Sequence, residues 1–556
     1  MKKLIIFKKL PVAGIAGLVG IICLSLIELS CASKIKGKEK EPSLEERLAP
    51  TATWKKFEAS KKSDLKFTVL INKLEKGYNS LLSRDYREAY LEFDSVLSDP
   101  KFIKYEEYSF SKFYLAETLY EMGVDYGALL YFIDILKKEE GKPYLEESLK
   151  RAISISQKIK DDELILYLAT ILTPDRIPSS LREEFRFFIA KNFYLNNAFA
   201  NAKILFKAIT PKNRLYMVAQ YHLGVIAVQE NDFKSAIKNF GTISVTENPE
   251  NYYEWTNLID LSNMNIARLL YENSQFQKSV EYYNKIDRDS ELFPEALYET
   301  SWTLYNWGKF NAALSTLHSL QSPFYEITYF PRSILLKGAI FLELCMYKDA
   351  IVALKNLEEY YSELKVLMDS FYAKAKSPGD YYDLLTGPQN IRGDSPDNPY
   401  RKLFQLASAN RDFLQMHKFV KKINGELKIL SQYKNNKRVT FLNEHIMKKK
   451  AVISQKAVNL AIDKIQLTKK AILDYLRSAD VVKLEITTAE RKLLEDKVKG
   501  YGREDSANIN LETPIQSSVF IQDRYYFYKF SGEYWKDEIG YYLYNIESQC
   551  LKKDLR

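Results

Sequence analysis

One spacing recurs along the middle of this chain: a small residue, an aromatic nine positions later, a small residue three further on, and a large apolar residue four beyond that. The clearest copies are Gly77, Tyr86, Ala89, Phe93; Gly224, Phe233, Ala236, Phe240; Ser301, Phe310, Ala313, Leu317; and Gly338, Tyr347, Ala350, Leu354. Weaker copies are Ala116, Ala128, Phe132; Ala190, Phe199, Ala202, Phe206; and Ala267, Phe276, Ser279, Tyr283. Residues 143 to 175 read as helical without a clean copy and are taken as a degenerate unit. The second small residue steps along the chain by 39, 74, 34, 43, 34 and 37, so 74 conceals one skipped unit and the other irregularities are loop insertions. Any helical protein matches such a pattern once by chance, but not in a tandem series. Residues three and four apart share a helix face, and small residues let two helix backbones approach closely. The expected fold class is all-α, a solenoid of about seven to eight helix pairs over residues 61 to 376.

The series resembles the tetratricopeptide repeat, whose unit is about 34 residues long. The resemblance covers roughly residues 66 to 364, a little over half the chain. It implies a superhelix whose concave face, lined by the first helix of each pair, holds a peptide or a partner's helix, and it implies no catalysis. Carried onto this sequence, the positions the family turns into its groove are Phe187, Lys191, Tyr194, Tyr221, Arg268, Tyr271, Tyr298, Trp302 and Tyr305. Aromatics mixed with cations are the composition expected of interface anchors. The alternative is ordinary packing between successive first helices, or cover by the chain's own tail.

The amino terminus reads as an export signal over residues 1 to 30. Lys2, Lys3, Lys8 and Lys9 precede an apolar run from Leu10 to Leu29, broken only by Ser25 and Glu28, and Ser30, Cys31, Ala32 and Ser33 follow. This is similar to bacterial lipoproteins, which implies lipid attachment at Cys31; Glu28 departs from the leucine preferred three residues before the cysteine. An uncleaved anchor of about 20 residues and cleavage after Ala32 are the other readings. All three place the body outside the cytoplasm, facing the periplasm, on either membrane. Residues 31 to 60, rich in Lys and Glu without apolar periodicity at their start, are expected to form a disordered tether.

Beyond the repeats, Pro378, Gly379, Gly387, Pro388, Gly393, Pro396 and Pro399 mark residues 377 to 400 as a loop or linker. Residues 401 to 498 are expected to form a helical hairpin or coiled coil. Its first helix carries Leu406, Ala409, Phe413, Met416, Val420, Ile423, Leu427 and Leu430 at alternating steps of three and four. Its second runs from about Val439 to Leu476, with Val458, Ile462, Ile465, Ile472 and Leu476 on one stripe, Lys469 interrupting it, and a turn near Asn435 and Asn436. Capping of the solenoid end by both helices is the equal alternative to a projecting arm. Residues 499 to 514 read as a linker.

Residues 515 to 556 form an aromatic tail. Tyr525, Tyr526, Phe527, Tyr528, Phe530, Tyr534, Trp535, Tyr541, Tyr542 and Tyr544 are too much apolar area to leave in water, so the tail is expected to dock on the solenoid. Phe530, Gly532, Glu533, Tyr534, Trp535, Asp537, Glu538, Gly540 and Tyr541 resemble the closing segment of envelope tetratricopeptide proteins of gliding and predatory bacteria. After export and acylation two cysteines remain, Cys345 and Cys550. A disulfide between them would fold the tail back over the solenoid, and two buried thiols is the other reading.

Lys plus Arg number 81 and Asp plus Glu 72, and removal of residues 1 to 30 leaves a net charge of +6, too thin an excess for a nucleic-acid footprint. The four histidines, His222, His318, His417 and His445, have no metal-ligand spacing. Neither a phosphate loop nor a nucleophile elbow is present. Glu533, Asp537 and Glu538 are the only candidate acid/base cluster and read as docking or capping groups. No catalytic residue, metal or cofactor is assigned. The expected partners are other envelope proteins and the membrane, with self-association through the helical arm as a further possibility. The expected function is a periplasmic scaffold, with a flagellar collar or motility component, a β-barrel assembly accessory and an envelope enzyme as alternatives.

Overall fold

The computed structural model describes residues 43–54, 64–138, 144–159, 167–168, 172, 177–246, 255–387, 395–433, 436–498, 516–517 and 532–550. The signal segment, Cys31, most of the tether, the linker at 499 to 514 and the first part of the aromatic tail lie outside them. The described chain is all-helical, with contiguous packed pairs consistent with a repeat solenoid. A short helix α1 (Leu44–Leu48) precedes the pairs α2 (Leu65–Leu82) and α3 (Tyr86–Ser98), and α4 (Tyr108–Glu121) and α5 (Asp125–Lys138), with α6 (Leu145–Ile159) packed on α5. There follow α7 (Arg182–Leu195) with α8 (Phe199–Lys207), α9 (Tyr216–Gln229) with α10 (Phe233–Val245), and α11 (Trp255–Glu272) with α12 (Phe276–Tyr283). The last pairs are α13 (Phe293–Asn306) with α14 (Phe310–Leu320), and α15 (Glu326–Glu343) with α16 (Tyr347–Lys374).

The recurring small and large residues meet inside these pairs. A Cβ on Gly77 would stand 2.7 Å from the Phe93 ring, one on Gly224 2.6 Å from the Phe240 ring, and one on Gly338 3.0 Å from Leu354. At these three positions the spacing encodes a close approach between the first and second helix that a methyl group would obstruct, whereas Ala116, Ala190 and Ala267 carry a methyl at the same place in their pairs.

The turns inside the pairs share one further device. Arg84, Gly123, Asn197, Asn231, Ser274, Gly308 and Cys345 all have positive φ, and each stands two residues before the second helix. In each turn the next residue's amide reaches back five positions, as from Asp85 to the Ser80 carbonyl (2.8 Å) and from Met346 to Phe341 (2.8 Å). This left-handed cap satisfies carbonyls that the ending helix leaves free.

Residues 377 to 400 are not the continuous loop that their proline and glycine content suggests. Helix α17 (Pro378–Thr386) opens on Pro378, is held by a Ser377–Asp380 capping box, and stops at Gly387 with φ +78°. Proline lacks only an amide that the first turn leaves unbonded anyway, so both breakers act here as start and stop signals. The heptad seam is also divided. Helix α18 (Arg401–Ser408) ends before Asn410, whose side chain accepts from the amides of Asp412 and Phe413 and so opens a new helix, α19 (Arg411–Leu430).

Helix α20 (Lys437–Val498) follows; its 62 residues span about 90 Å. It packs on α19, and the hairpin lies along the solenoid. Val439, Leu442, Ile446 and Ile453 join the core built by the first pairs, whereas Ala457, Ala461, Ile465, Ile472, Ala479, Val482 and Ile486 join the core of the last ones. One helix thus staples two hydrophobic cores. Among the described residues no helix is long and apolar enough to cross a membrane, and the one extended pairing is the antiparallel ladder of β1 (Gln516–Ser517) with β2 (Tyr542–Leu543).

Candidate functional site

The positions assigned to a groove separate into two sets. Phe187, Tyr194, Tyr221 and Arg268 are buried. Phe187 and Tyr194 pack edge-on against His222, which stacks on Phe206 with centroids 4.8 Å apart. Burial, assisted by the charge of Lys191, lowers the His222 pKa to about 3, so the imidazole is neutral and packs as an aromatic. The Tyr221 hydroxyl accepts from Asn265 Nδ2 (2.8 Å) and Tyr271 accepts from Asn306 Nδ2 (3.0 Å). Arg268 grips Glu299 through Nε (2.8 Å) and Nη2 (2.6 Å), and Glu299 also accepts from the Tyr283 hydroxyl at 2.7 Å. Burial acts to lower the guanidinium pKa, but the Glu299 charge and hydrogen bonds more than offset it, so the pKa is raised. These side chains hold successive helices together.

Tyr298, Trp302 and Tyr305 form the second set. They are half-buried on one face of α13, with Trp302 Nε1 donating to the Tyr298 hydroxyl (2.6 Å) and the Trp302 and Tyr305 rings meeting edge to face at 5.7 Å. They pack against the core that contains the second half of α20. Burial raises the Tyr298 phenol, and Tyr475 of α20 adds to the rise; burial and Glu343 raise that of Tyr305, with Glu485 of α20 contributing. This face therefore lies near the chain's own long helix, which packs directly on α15 and α16. Alongside it, Lys469 pairs with Asp369 of α16 (2.6 Å) and Lys483 with Glu358 of α16. The lysine interrupting the apolar stripe thus has a definite partner.

At the other end of the hairpin the attachment is ionic and buried. Glu426 of α19 accepts the amide of Tyr126 on both oxygens (3.1 and 3.2 Å), capping the start of α5. Beside it, buried Asp125 meets Lys158 (2.8 Å) and Lys422. Burial first, then the nearby Asp125 charge, raises the Glu426 carboxyl to about 7. Arg438 bonds Asp94 at 2.7 Å, and Asn436 donates to the same carboxylate at 2.7 Å.

The tail lies on the last pairs. Cys345 and Cys550 are disulfide-bonded, with a Cα separation of 5.0 Å. The Gln549 amide donates to the Leu344 carbonyl (2.9 Å), and Arg288 donates to the Asp537 carbonyl (3.0 Å) while covering the Tyr541 ring at 3.8 Å. Glu533 and Asp537 are exposed in non-helical backbone, so the carboxylates do not form the helical i, i+4 cluster that their spacing suggests. Among the described residues no group of three or more His, Cys, Asp or Glu is placed to hold a metal.

The seat of the tail on α14 was not anticipated from sequence. Asn311, Ser315 and Ser319 stand at steps of four, and short polar side chains on the outer face of a helix carry no signal of their own. No known family matches this chain, and no curated protein matches its sequence.

Proposed function

We propose that this chain is a tetratricopeptide-repeat scaffold of the cell envelope, exported, held at a membrane through Cys31 or the preceding apolar segment, and used to position other envelope proteins. The observation that supports scaffolding is the packing of α20 along the helix pairs, on α15 and α16 and into the core that Tyr298, Trp302 and Tyr305 border: a helical-pair array that takes an amphipathic helix along its length is a surface suited to protein chains. The basic and apolar residues before Cys31 support export, and a Cys345–Cys550 disulfide suits an oxidising compartment. A motility collar and a β-barrel assembly accessory belong to the same class and differ only in partner.

The test is crosslinking in intact cells followed by mass spectrometry of the purified adducts, together with palmitate labelling of wild type and Cys31→Ala. Envelope proteins among the adducts and labelling lost in the variant are expected. Adducts confined to cytoplasmic proteins would overturn the scaffold's location, and unchanged labelling would overturn lipid attachment.

A further inference from the structure

The tail is held by its main chain as much as by its side chains. Along α14 the Ser319 hydroxyl accepts from the Gly540 amide (2.9 Å) and the Ser315 hydroxyl from the Tyr544 amide (2.8 Å). Asn311 closes the row twice, accepting from the Ile546 amide (3.2 Å) and donating to the Ile546 carbonyl (3.0 Å). At 100° per residue, 311, 315 and 319 lie on one side of the helix and the core residues Ala313, Leu317 and Leu320 on the other. This row reads the backbone of an extended chain.

Side-chain selectivity comes from alternation. Tyr542 and Tyr544 are buried, while Tyr541 before them and Leu543 between them face outward, as period-two geometry requires of an extended segment. Both buried tyrosines close on His318, at 4.7 and 5.8 Å between centroids, and Tyr534 stacks on the same imidazole at 5.1 Å while meeting Tyr542 edge to face at 5.8 Å. Burial, then the Lys337 charge, lowers the His318 pKa to about 3, leaving the imidazole neutral as the floor of an aromatic slot.

Among the described second helices only α14 is built this way. Where Ser315 stands, the equivalent positions of the other second helices hold Leu91, Leu130, Ile204, Lys238, Glu281 and Val352. Leu91, Ile204 and Val352 are 44%, 67% and 59% exposed and Lys238 and Glu281 are exposed too, so that position faces outward in these helices, while Leu130 is partly buried against the core. A continuous row of short neutral hydrogen-bonding side chains is thus confined to the one helix with an extended segment upon it.

We propose that the outer face of α14 is a docking site for an extended peptide with tyrosines at alternate positions, and that the tail of a second copy of this chain fills it by exchange with the resident tail. Residues 499 to 515 separate α20 from β1, which is laddered to the docked segment and travels with it, a chain length that at about 3.3 Å per residue reaches about 55 Å. The Cys345–Cys550 bond is the lock. A free Cys550 thiolate from an incoming tail attacks the Cys345 sulfur, the new bond forms as the old one breaks, and the displaced Cys550 leaves as a thiolate that takes up the proton. One disulfide is consumed and one made, so no oxidant is needed. The proposal does not depend on the envelope reading.

Two experiments test it. The full-length chain carrying Cys550→Ser, Tyr542→Ala and Tyr544→Ala, in which the resident tail is weakened, is incubated in glutathione buffer with a synthetic peptide of residues 532 to 550. The mixed disulfide at Cys345 is then read by mass spectrometry of the unreduced digest, which separates it from adducts at Cys23 and Cys31. The native peptide is expected to be captured at least about tenfold more than a scrambled peptide of the same composition with its cysteine in the same place, and adding Asn311→Leu and Ser315→Leu should abolish the difference. Equal capture of the two peptides, or capture of neither, overturns the site. In the second experiment, isotopically heavy and light wild-type chains are reduced, mixed and reoxidised. Heavy–light Cys345–Cys550 peptides are expected, and their absence overturns exchange between copies.

Discussion

Replacing Glu426 with glutamine isolates the buried contact that holds the hairpin to the first helix pairs. Glu426 faces the start of α5, Asp125 and Lys422, and Lys158 approaches the same Asp125 from α6. Its carboxyl is raised from the ordinary value of about 4.5 to about 7. Because the folded state binds this proton more tightly than the unfolded chain does, the contribution is fully present below about pH 4.5. It is lost as pH rises towards and through 7. At about 1.4 kcal/mol for each tenfold change in proton affinity, the gap comes to about 3 kcal/mol. Glutamine resembles the protonated acid in shape and does not titrate. Wild type and Glu426→Gln should therefore unfold at similar urea concentrations near pH 5, and the variant should be the more stable by about 2 to 3 kcal/mol near pH 8. A difference between the two proteins that stays constant from pH 5 to pH 8 would refute the reasoning.

The remaining predictions follow from packing and backbone geometry. Gly224→Ala places a methyl 2.6 Å from the Phe240 ring and should cost about 1 to 3 kcal/mol, part of which Phe240→Leu in the same chain should restore; calorimetry of the two variants checks this. Glu299→Ala strands the buried Arg268 guanidinium and should cost about 3 to 5 kcal/mol, whereas replacing both residues with apolar side chains of similar volume should cost much less. Because Cys345 has φ +58°, Cys345→Gly should preserve the turn while Cys345→Val strains it, so under reducing conditions only the valine variant should melt markedly below wild type.

What could be read in the sequence was whatever depends on bulk and period. Gly77 with Phe93 and Gly224 with Phe240 announce their packing because only a small residue fits opposite a ring. The apolar steps of α20 announce a helix through Ile472 and beyond. The turn residue two places before each second helix was not legible, since Arg84, Asn197, Ser274, Gly308 and Cys345 share no chemistry, only occupancy of a left-handed position. Pro378 and Gly387 misled because a breaker inside a helix and a start or stop signal at its ends look alike out of context. Asn410 divides the seam for a similar reason: its side chain supplies the cap that a continuous helix would not need. At the groove, spacing placed Tyr298, Trp302 and Tyr305 on one face, but nothing in α13 itself specifies α20 as a neighbour in the same core. That pairing joins residues more than 150 positions apart, with complementarity shared between the two segments.

Zero-length carbodiimide crosslinking reads out whether the hairpin staples its own solenoid. Lys422–Asp125 crosslinks are expected at one end and Lys469–Asp369 and Lys483–Glu358 crosslinks at the other, all within single chains when heavy and light protein are mixed. Absence of these crosslinks, or their appearance only between heavy and light chains, would show that the long helix does not lie along its own solenoid.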